Sequence, residues 1–333
     1  MSLKKSFFLF ICLFACSALF GESDYTQRIA EDMPGKVVEA KKEYKLLVYS
    51  VAWGFKHGSI PTGKIMTEVM AKETGLFEVT FNDELSAFDA DYLSQFDGLL
   101  LNNTTHLEKG LNEEHQKNLI DYVKNGGGLF CIHAATDGGW PEYTEMINGN
   151  FDGHPWGRNG AWDIHNEDPD HPLMESFKGK NFKIRDELYQ YKDFDRKKVR
   201  VLASVNMASE HNCSAKGQKR ADHDYAVSWI RQYGKGRVFV SSFGHNHSVF
   251  FNPEMLKLWT KGMRYIFNDI DVPSESLAKP EQMFTDELNP LGAFRSPELT
   301  MKEFELPEGY SLELVAEAPM VIEPVVCVWD GDG

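Results

Sequence analysis

Between residues 44 and 269 the sequence alternates short apolar runs, rich in β-branched side chains, with amphipathic stretches of helical spacing. The apolar runs predict buried strands, and the amphipathic stretches predict helices that cover them. Regular alternation of the two is the pattern of a parallel sheet with helices on both faces. We therefore predict one α/β domain over residues 44–269.

Local signals give the elements of this domain. The strand pattern covers residues 45–52, 77–81, 96–102, 129–132, 199–205, 225–230 and 237–242. One helix is predicted to begin after Ser59, where Pro61 suits the first turn, and to end at Gly75. Two more helices are predicted, over residues 112–125 and from Pro253 onwards.

The two ends of the chain predict other parts. Residues 1–23 place Lys4 and Lys5 before an apolar run that ends at small residues, which is the pattern of a secretory signal peptide. The run is too short to cross a bilayer, which takes about 20 residues. We expect export to the periplasm or the medium, with a lipid anchor on Cys16 as the alternative, and no transmembrane segment in the mature chain. Residues 270–299 predict a linker because they are rich in Pro, Ser and Glu.

Composition narrows the function classes. The 333 residues carry 35 Lys or Arg against 50 Asp or Glu, a formal net charge of −15. This balance argues against a nucleic-acid partner, because phosphate backbones attract surfaces rich in Lys and Arg. Beyond the predicted signal only Cys131, Cys213 and Cys327 are left, too few for a disulfide framework.

The loops after the predicted strands hold five of the 11 histidines, more than an even spread would place there. In an open parallel sheet, ligands bind outside the carboxyl ends of the strands. These loops are therefore the candidate site. The five histidines are His57, His106, His133, His245 and His247.

Several separated motifs resemble the ThuA-like family, named for trehalose utilisation. They are GGGLFCIHAATDGGWPEY, GNFDGHPW, RDELYQY and SWIRQYGKGRVFVSSFGHN, with HPL at residues 171–173. The resemblance runs from Tyr44 to Asn268. It implies a flavodoxin-like fold similar to the class I glutamine amidotransferases, and a role in disaccharide catabolism through 3-keto sugars. Residues 300–333 resemble the opening strands of β-propeller modules of sugar dehydrogenase-like and haem-linked proteins, which implies a truncated further domain.

The chain departs from the amidotransferase pattern at its nucleophile. That pattern has a cysteine on the turn after a central strand and a histidine at the end of a distant strand. Here the turn position is His133, and Cys131 lies two residues earlier, where we expect a core side chain. His245 fills the partner position. Glutamine hydrolysis is therefore not expected.

Two interpretations of the strand-end histidines stay open. Neutral imidazole is a common zinc ligand, so His133 and His245, with His57 and Glu187, could hold a divalent metal such as zinc. Without a metal, His133, His245 and Glu187 are the candidate catalytic acid and base groups. Aromatic rings stack on sugars and polar side chains bind hydroxyl groups. On this ground the candidate substrate-binding residues are His57, Trp53, Asn102, Asp137, His154 and Tyr189.

The leading hypothesis is an exported ThuA-like enzyme, a hydrolase, lyase or isomerase that acts on a disaccharide or 3-keto-glycoside. The alternative is a non-catalytic carbohydrate-binding or docking module that serves a propeller-type dehydrogenase. A thiol hydrolase that uses Cys131 is the least favoured hypothesis. The expected partner is a small carbohydrate in each of the first two cases.

Overall fold

A computed structural model describes residues 25–37, 39–279, 311 and 313. The predicted signal peptide with Cys16, the predicted linker beyond residue 279 and most of the propeller-like segment, with Cys327, lie outside the described residues. Among those described, no helix is both long enough and apolar enough to cross a membrane.

A mixed nine-stranded sheet forms the centre of the described domain, with a separate two-stranded ribbon. The strands are β1 (Tyr44–Tyr49), β2 (Phe77–Phe81), β3 (Gly98–Asn102), β4 (Gly128–Ile132), β5 (Asn150–Phe151), β6 (Ala161–Asn166), β7 (Phe182–Arg185), β8 (Tyr191–Lys192), β9 (Arg200–Val205), β10 (Ala226–Tyr233) and β11 (Gly236–Ser241). The order across the large sheet is β2-β1-β3-β4-β11-β10-β9-β6-β7, and β5 pairs with β8.

The five strands from β2 to β11 in this order are parallel, as the alternating pattern predicts. The remaining four, β10, β9, β6 and β7, are each antiparallel to the strand before them in the order. The predicted α/β class is confirmed, but the sheet is parallel over one half only. Tyr233 pairs with Gly236, so β10 and β11 are joined by a tight hairpin turn. A connection that short can link only antiparallel strands.

Helices cover both faces of the sheet. They are α1 (Ile60–Thr74), α2 (Ala90–Leu93), α3 (Leu107–Gly110), α4 (Glu113–Lys124), α5 (Pro141–Ile147), α6 (Glu210–Cys213) and α7 (Pro253–Ile266), with a further helical segment over residues 25–32. Five short 3-10 segments lie at Leu85–Phe88, His133–Thr136, Pro172–Phe177, Arg196–Lys198 and His247–Phe251.

The core lies on the two faces of β4 and its neighbours. Phe130 points to the face covered by α1 and α7, where it packs near Trp259. Leu129 and Cys131 point to the opposite face, where Leu119 of α4 and residues of α5 cover them. Because side chains alternate along a strand, the wholly apolar sequence of β4 fills both layers.

Strand direction brings distant loops together. Four antiparallel steps separate β11 from β7, so the two strands point the same way. The carboxyl ends of β1, β4, β11 and β7 therefore lie at one edge of the sheet. At this edge the fold can gather side chains that are far apart in sequence.

Candidate functional site

Four side chains meet at the carboxyl edge of the sheet. They are His57 after β1, His133 directly after β4, Glu187 after β7 and His245 after β11. One ligand-type atom from each lies within 4.8 Å of the others. We refer to these four residues as the histidine–glutamate cluster.

His133 is the innermost member of the cluster. It opens the 3-10 segment after β4 with a φ of 46°, a left-handed conformation that costs a non-glycine residue on the order of 1–3 kcal/mol. Its Nδ1 donates a hydrogen bond to the carbonyl oxygen of Ser242 at 2.6 Å, since a carbonyl can only accept. Nε2 therefore carries the lone pair. This atom is buried and has no hydrogen-bond partner among the described residues.

The three histidine rings pack edge to face. The ring centroids of His57 and His133 are 4.9 Å apart, those of His57 and His245 5.1 Å, and those of His133 and His245 5.4 Å. Burial lowers the pKa of His57 to about 4 and holds the pKa of His133 well below its usual value. Both rings are therefore neutral near pH 7, which is the form that binds a metal ion.

Glu187 links the cluster to the surface. Its Oε1 lies 3.9 Å from His133 Nε2 and 3.8 Å from His245 Nε2, and its Oε2 lies 3.6 Å from His154 Nδ1. These separations are too long for direct hydrogen bonds. Ligands about 2 Å from a tetrahedral zinc ion lie about 3.3 Å apart. Around an ion the two Glu187 separations would therefore have to shorten by about 0.5 Å, and the widest separation in the cluster, up to 4.8 Å, by more.

A second carboxylate fixes the loop that carries His245. Asp186 accepts a hydrogen bond from the Gly244 N–H at 2.7 Å and another from the Asn246 N–H at 2.8 Å, one on each side of His245. It is fully buried, and this burial raises its pKa to about 7 against the effect of the backbone donors. The role of Asp186 was not predicted, although it directly precedes Glu187 in the motif RDELYQY.

Two further predicted residues line the cluster. The ring centroids of Tyr189 and His133 are 4.2 Å apart, and the phenol oxygen of Tyr189 lies 3.5 Å from His57 Nε2. Tyr189 is buried, whereas the side chain of His154 is 54% exposed and that of Glu187 is 13% exposed. Exposure thus rises from the fully buried His133 through Glu187 to His154, which marks the side from which a ligand can enter.

Three of the predicted substrate-binding residues lie outside the cluster. Asn102 is fully buried, and its amide group donates to the Ile60 carbonyl at the start of α1. Trp53 is partly exposed, but its indole packs over Gly110 of α3. The Asp137 carbonyl accepts a hydrogen bond from the backbone N–H of His106, and burial raises the pKa of its carboxyl group.

The other two strand-end histidines have partners of their own. His106 Nδ1 lies 2.8 Å from Glu108, and His247 Nδ1 lies 2.7 Å from the Thr62 hydroxyl group. Both are thus engaged outside the cluster.

Cys131 lies where a core side chain was predicted. It is fully buried, and its Sγ lies 3.7 Å from the Tyr143 hydroxyl group. Burial raises the pKa of the thiol to about 12, so the reactive thiolate is not formed near neutral pH. Burial and the raised pKa of the thiol therefore argue against a hydrolase that uses Cys131 as its nucleophile.

Two of the surface cavities formed by the described residues lie elsewhere. One of about 680 Å³ is bordered by Trp140 and Phe194, and one of about 600 Å³ is bordered by Lys178, Lys257 and other basic residues. No member of the cluster lines either cavity, so the chemistry of the cluster does not extend into them.

Comparison with known proteins identifies the family of this chain. The profile described as "ThuA: Trehalose utilisation" matches residues 45–266, about two thirds of the chain. The chain belongs to the ThuA family. A second profile, a domain of unknown function (DUF7133), matches residues 296–333. None of the comparisons supports the predicted propeller-type module.

Solved structures of ThuA-like proteins share the fold. One from Bacteroides uniformis ATCC 8492 is 19% identical with a TM-score of 0.56, over 69% of this chain and 94% of that one. Another, from Parabacteroides merdae ATCC 43184, is 19% identical with a TM-score of 0.53, over 68% of this chain and 90% of that one. At such identities the likeness shows the ThuA fold alone. No curated protein matches the sequence significantly.

Proposed function

We propose that this ThuA-family protein is an enzyme of carbohydrate catabolism that acts on a disaccharide or 3-keto-glycoside at a divalent-metal site. The histidine–glutamate cluster would hold the ion. One observation carries the proposal: four ligand-type atoms lie within 4.8 Å of one another. The family description, trehalose utilisation, supports the class of substrate.

The metal interpretation is favoured over acid–base catalysis by histidine alone. A general base works best when its pKa lies near the working pH. Burial lowers the pKa of His57 to about 4 and that of His133 well below its usual value, which makes both rings poor bases. An unpartnered buried nitrogen such as His133 Nε2 is also costly unless it binds something. Neutral imidazole beside a carboxylate is instead a typical ligand set for zinc.

The side chains of the site have separate tasks under this proposal. A bound divalent ion would polarise a carbonyl or hydroxyl oxygen of the sugar. Ser242 fixes the His133 ring so that Nε2 faces the cluster, and Asp186 fixes the loop of His245. His154 lies at the exposed side of Glu187, where its imidazole can form hydrogen bonds with oxygen atoms of the substrate.

We also propose that the protein acts outside the cytoplasm. The support for this is the N-terminal sequence, in which a cationic start precedes a short apolar run. A lipid anchor on Cys16 would keep the enzyme at a membrane surface, whereas cleavage near residue 23 would release it.

Turnover of 3-ketotrehalose and of trehalose, followed by chromatography of the products, tests the enzyme proposal. We expect product formation by the zinc-, manganese- or cobalt-loaded protein, loss after treatment with EDTA and recovery when the ion is returned. His133→Ala should abolish turnover, whereas His115→Ala, which changes a histidine of α4, should not. Turnover that is insensitive to both EDTA and His133→Ala would refute the metal site. Sugar binding without product would favour the carbohydrate-binding module instead.

A further inference from the structure

Phe55 is an aromatic side chain displayed beside the cluster. Four large apolar side chains are exposed among the described residues: Trp53, Phe55, Leu85 and Leu277. Phe55 is the most exposed of them, at 68%. A single exposed apolar residue is ordinary, so its position decides its meaning. The ring centroids of Phe55 and His57 are 4.9 Å apart, and the two rings pack edge to face.

The loop that carries Phe55 is held in place by Thr105. The Trp53 N–H donates to the Thr105 carbonyl at 2.9 Å, and the Gly54 N–H donates to the Thr105 hydroxyl oxygen at 2.9 Å. The same hydroxyl group donates to the Phe55 carbonyl at 3.2 Å. A side chain at Gly54 would meet the His106 ring, so the loop is also closely packed. Phe55 is thus displayed by a fixed backbone, which lowers the entropy cost of binding a ligand.

The two sides of the cluster differ in chemistry. Phe55 offers an apolar ring next to His57, whereas His154 offers a polar, half-exposed ring next to Glu187. A ligand that binds at the cluster and extends past both His57 and Glu187 would contact both rings. Pyranose rings match this arrangement because one face presents C–H groups and the rim presents hydroxyl groups.

We propose that Phe55 forms an aromatic subsite that stacks on the apolar face of a pyranose ring of the ligand bound at the cluster. This inference rests on the proposed function, since it takes the ligand to be a sugar. It goes further in that it assigns ring recognition to a residue outside the cluster. The alternatives to a sugar on this surface are a second copy of the chain and another segment of the same chain, and the experiment below distinguishes them from the proposal.

Binding of trehalose to the metal-loaded protein, measured by calorimetry at a temperature at which chromatography detects no product during the titration, tests the subsite separately from turnover. Phe55→Ala should weaken trehalose binding about tenfold, which corresponds to about 1.4 kcal/mol. Phe55→Tyr should restore binding, and Phe55→Leu should restore it only in part. Leu85→Ala removes another exposed apolar side chain and is the matched control. Acetohydroxamate, which binds metal ions but has no ring, should bind Phe55→Ala as well as it binds the wild type.

Kinetics with 3-ketotrehalose add a second readout. Loss of a contact made equally in the bound state and the transition state raises KM and leaves kcat unchanged. Unchanged trehalose affinity in Phe55→Ala would overturn the inference. So would equal losses of trehalose and acetohydroxamate, or a change in oligomeric state with sugar affinity retained. If the wild type binds trehalose but has no metal-dependent turnover, the proposed function fails, and the affinity of Phe55→Ala still decides the role of Phe55.

Discussion

Asp186→Asn is the perturbation that best separates the support of the cluster from the cluster itself. The change preserves the shape of the side chain but replaces one carboxylate oxygen with an NH₂ group. In the native protein the two oxygens accept from Gly244 at 2.7 Å and from Asn246 at 2.8 Å. An amide can accept only one of these bonds and sets its NH₂ group against the other N–H. The backbone on one side of His245 must then shift.

The magnitude follows from these contacts. Hydrogen bonds to a charged group contribute about 1.5–3 kcal/mol each, and one is lost outright. The cost to folding is reduced because an amide is easier to bury than the Asp186 carboxylate, whose pKa burial raises to about 7. Metal affinity lacks this compensation, because it depends on the position of His245. Loss of a group that orients a ligand weakens metal binding about 10- to 100-fold, or about 1.4–3 kcal/mol.

Competition with a chromophoric chelator at pH 7.5 measures this zinc affinity, and thermal unfolding shows whether the variant folds. Asp168→Asn is the control. Asp168 is also a buried carboxylate, but it does not contact the cluster; it forms an ion pair with Arg200, with 2.7 Å between the Arg200 Nε and the Asp168 Oδ2. It should lower stability and leave zinc affinity unchanged. Wild-type zinc affinity in folded Asp186→Asn would refute the positioning argument.

Three further predictions follow from burial and backbone geometry. The folded pKa of His57 lies near 4 against 6.5 when unfolded, so the metal-free protein should lose about 2 kcal/mol of stability from this group between pH 7 and pH 5. In His57→Gln, the free energy of unfolding measured by urea titration should fall less between pH 7 and pH 5. An equal fall in the variant and the wild type would contradict this. Iodoacetamide should leave Cys131 unmodified in the native protein at pH 8, and Cys131→Ala should keep activity; inactivation that tracks its alkylation would contradict this. Gly244→Ala should lower the free energy of unfolding by about 1–3 kcal/mol, because Gly244 has a φ of +127° and the new Cβ would lie 2.7 Å from Ile132 Cγ2. An unchanged Tm in thermal unfolding would contradict this.

The sequence predicted the parallel half of the sheet well because its inner strands β3, β4 and β11 are buried on both faces. A continuous apolar run as short as the five residues of β4 is typical of a strand that is covered on both faces. The antiparallel half was harder, since the short strands β6 and β7 have mixed polarity and half-exposed residues. Their pairing depends on contacts between distant segments, which periodicity along the chain does not report.

Part of the candidate site was predictable from position alone. His57, His133 and His245 follow parallel strands, and the carboxyl ends of such strands meet at one edge. The position of a residue at the carboxyl end of a strand does not predict which way its side chain points. Asn102 ends β3 at that edge, yet its amide points toward the start of α1 and not toward the cluster.

The supporting residues could not be predicted, because their roles depend on long-range proximity. Asp186 and Gly244 are 58 residues apart in sequence, and they come into contact only because the chain after β7 runs next to the loop that follows β11. Phe55 has no sequence signal of its own. Its exposure beside His57 results from the hydrogen bonds that Thr105 makes with the loop.

Elemental analysis of the purified protein tests the metal site most directly. After incubation with zinc and removal of the excess ion, we predict one divalent ion per chain in the wild type, and in His115→Ala as control. His133→Ala should hold none, since it removes the buried Nε2 at the centre of the cluster, while remaining folded by circular dichroism. A wild-type protein that takes up no zinc, manganese or cobalt, or a His133→Ala variant that keeps its full complement, would contradict the account.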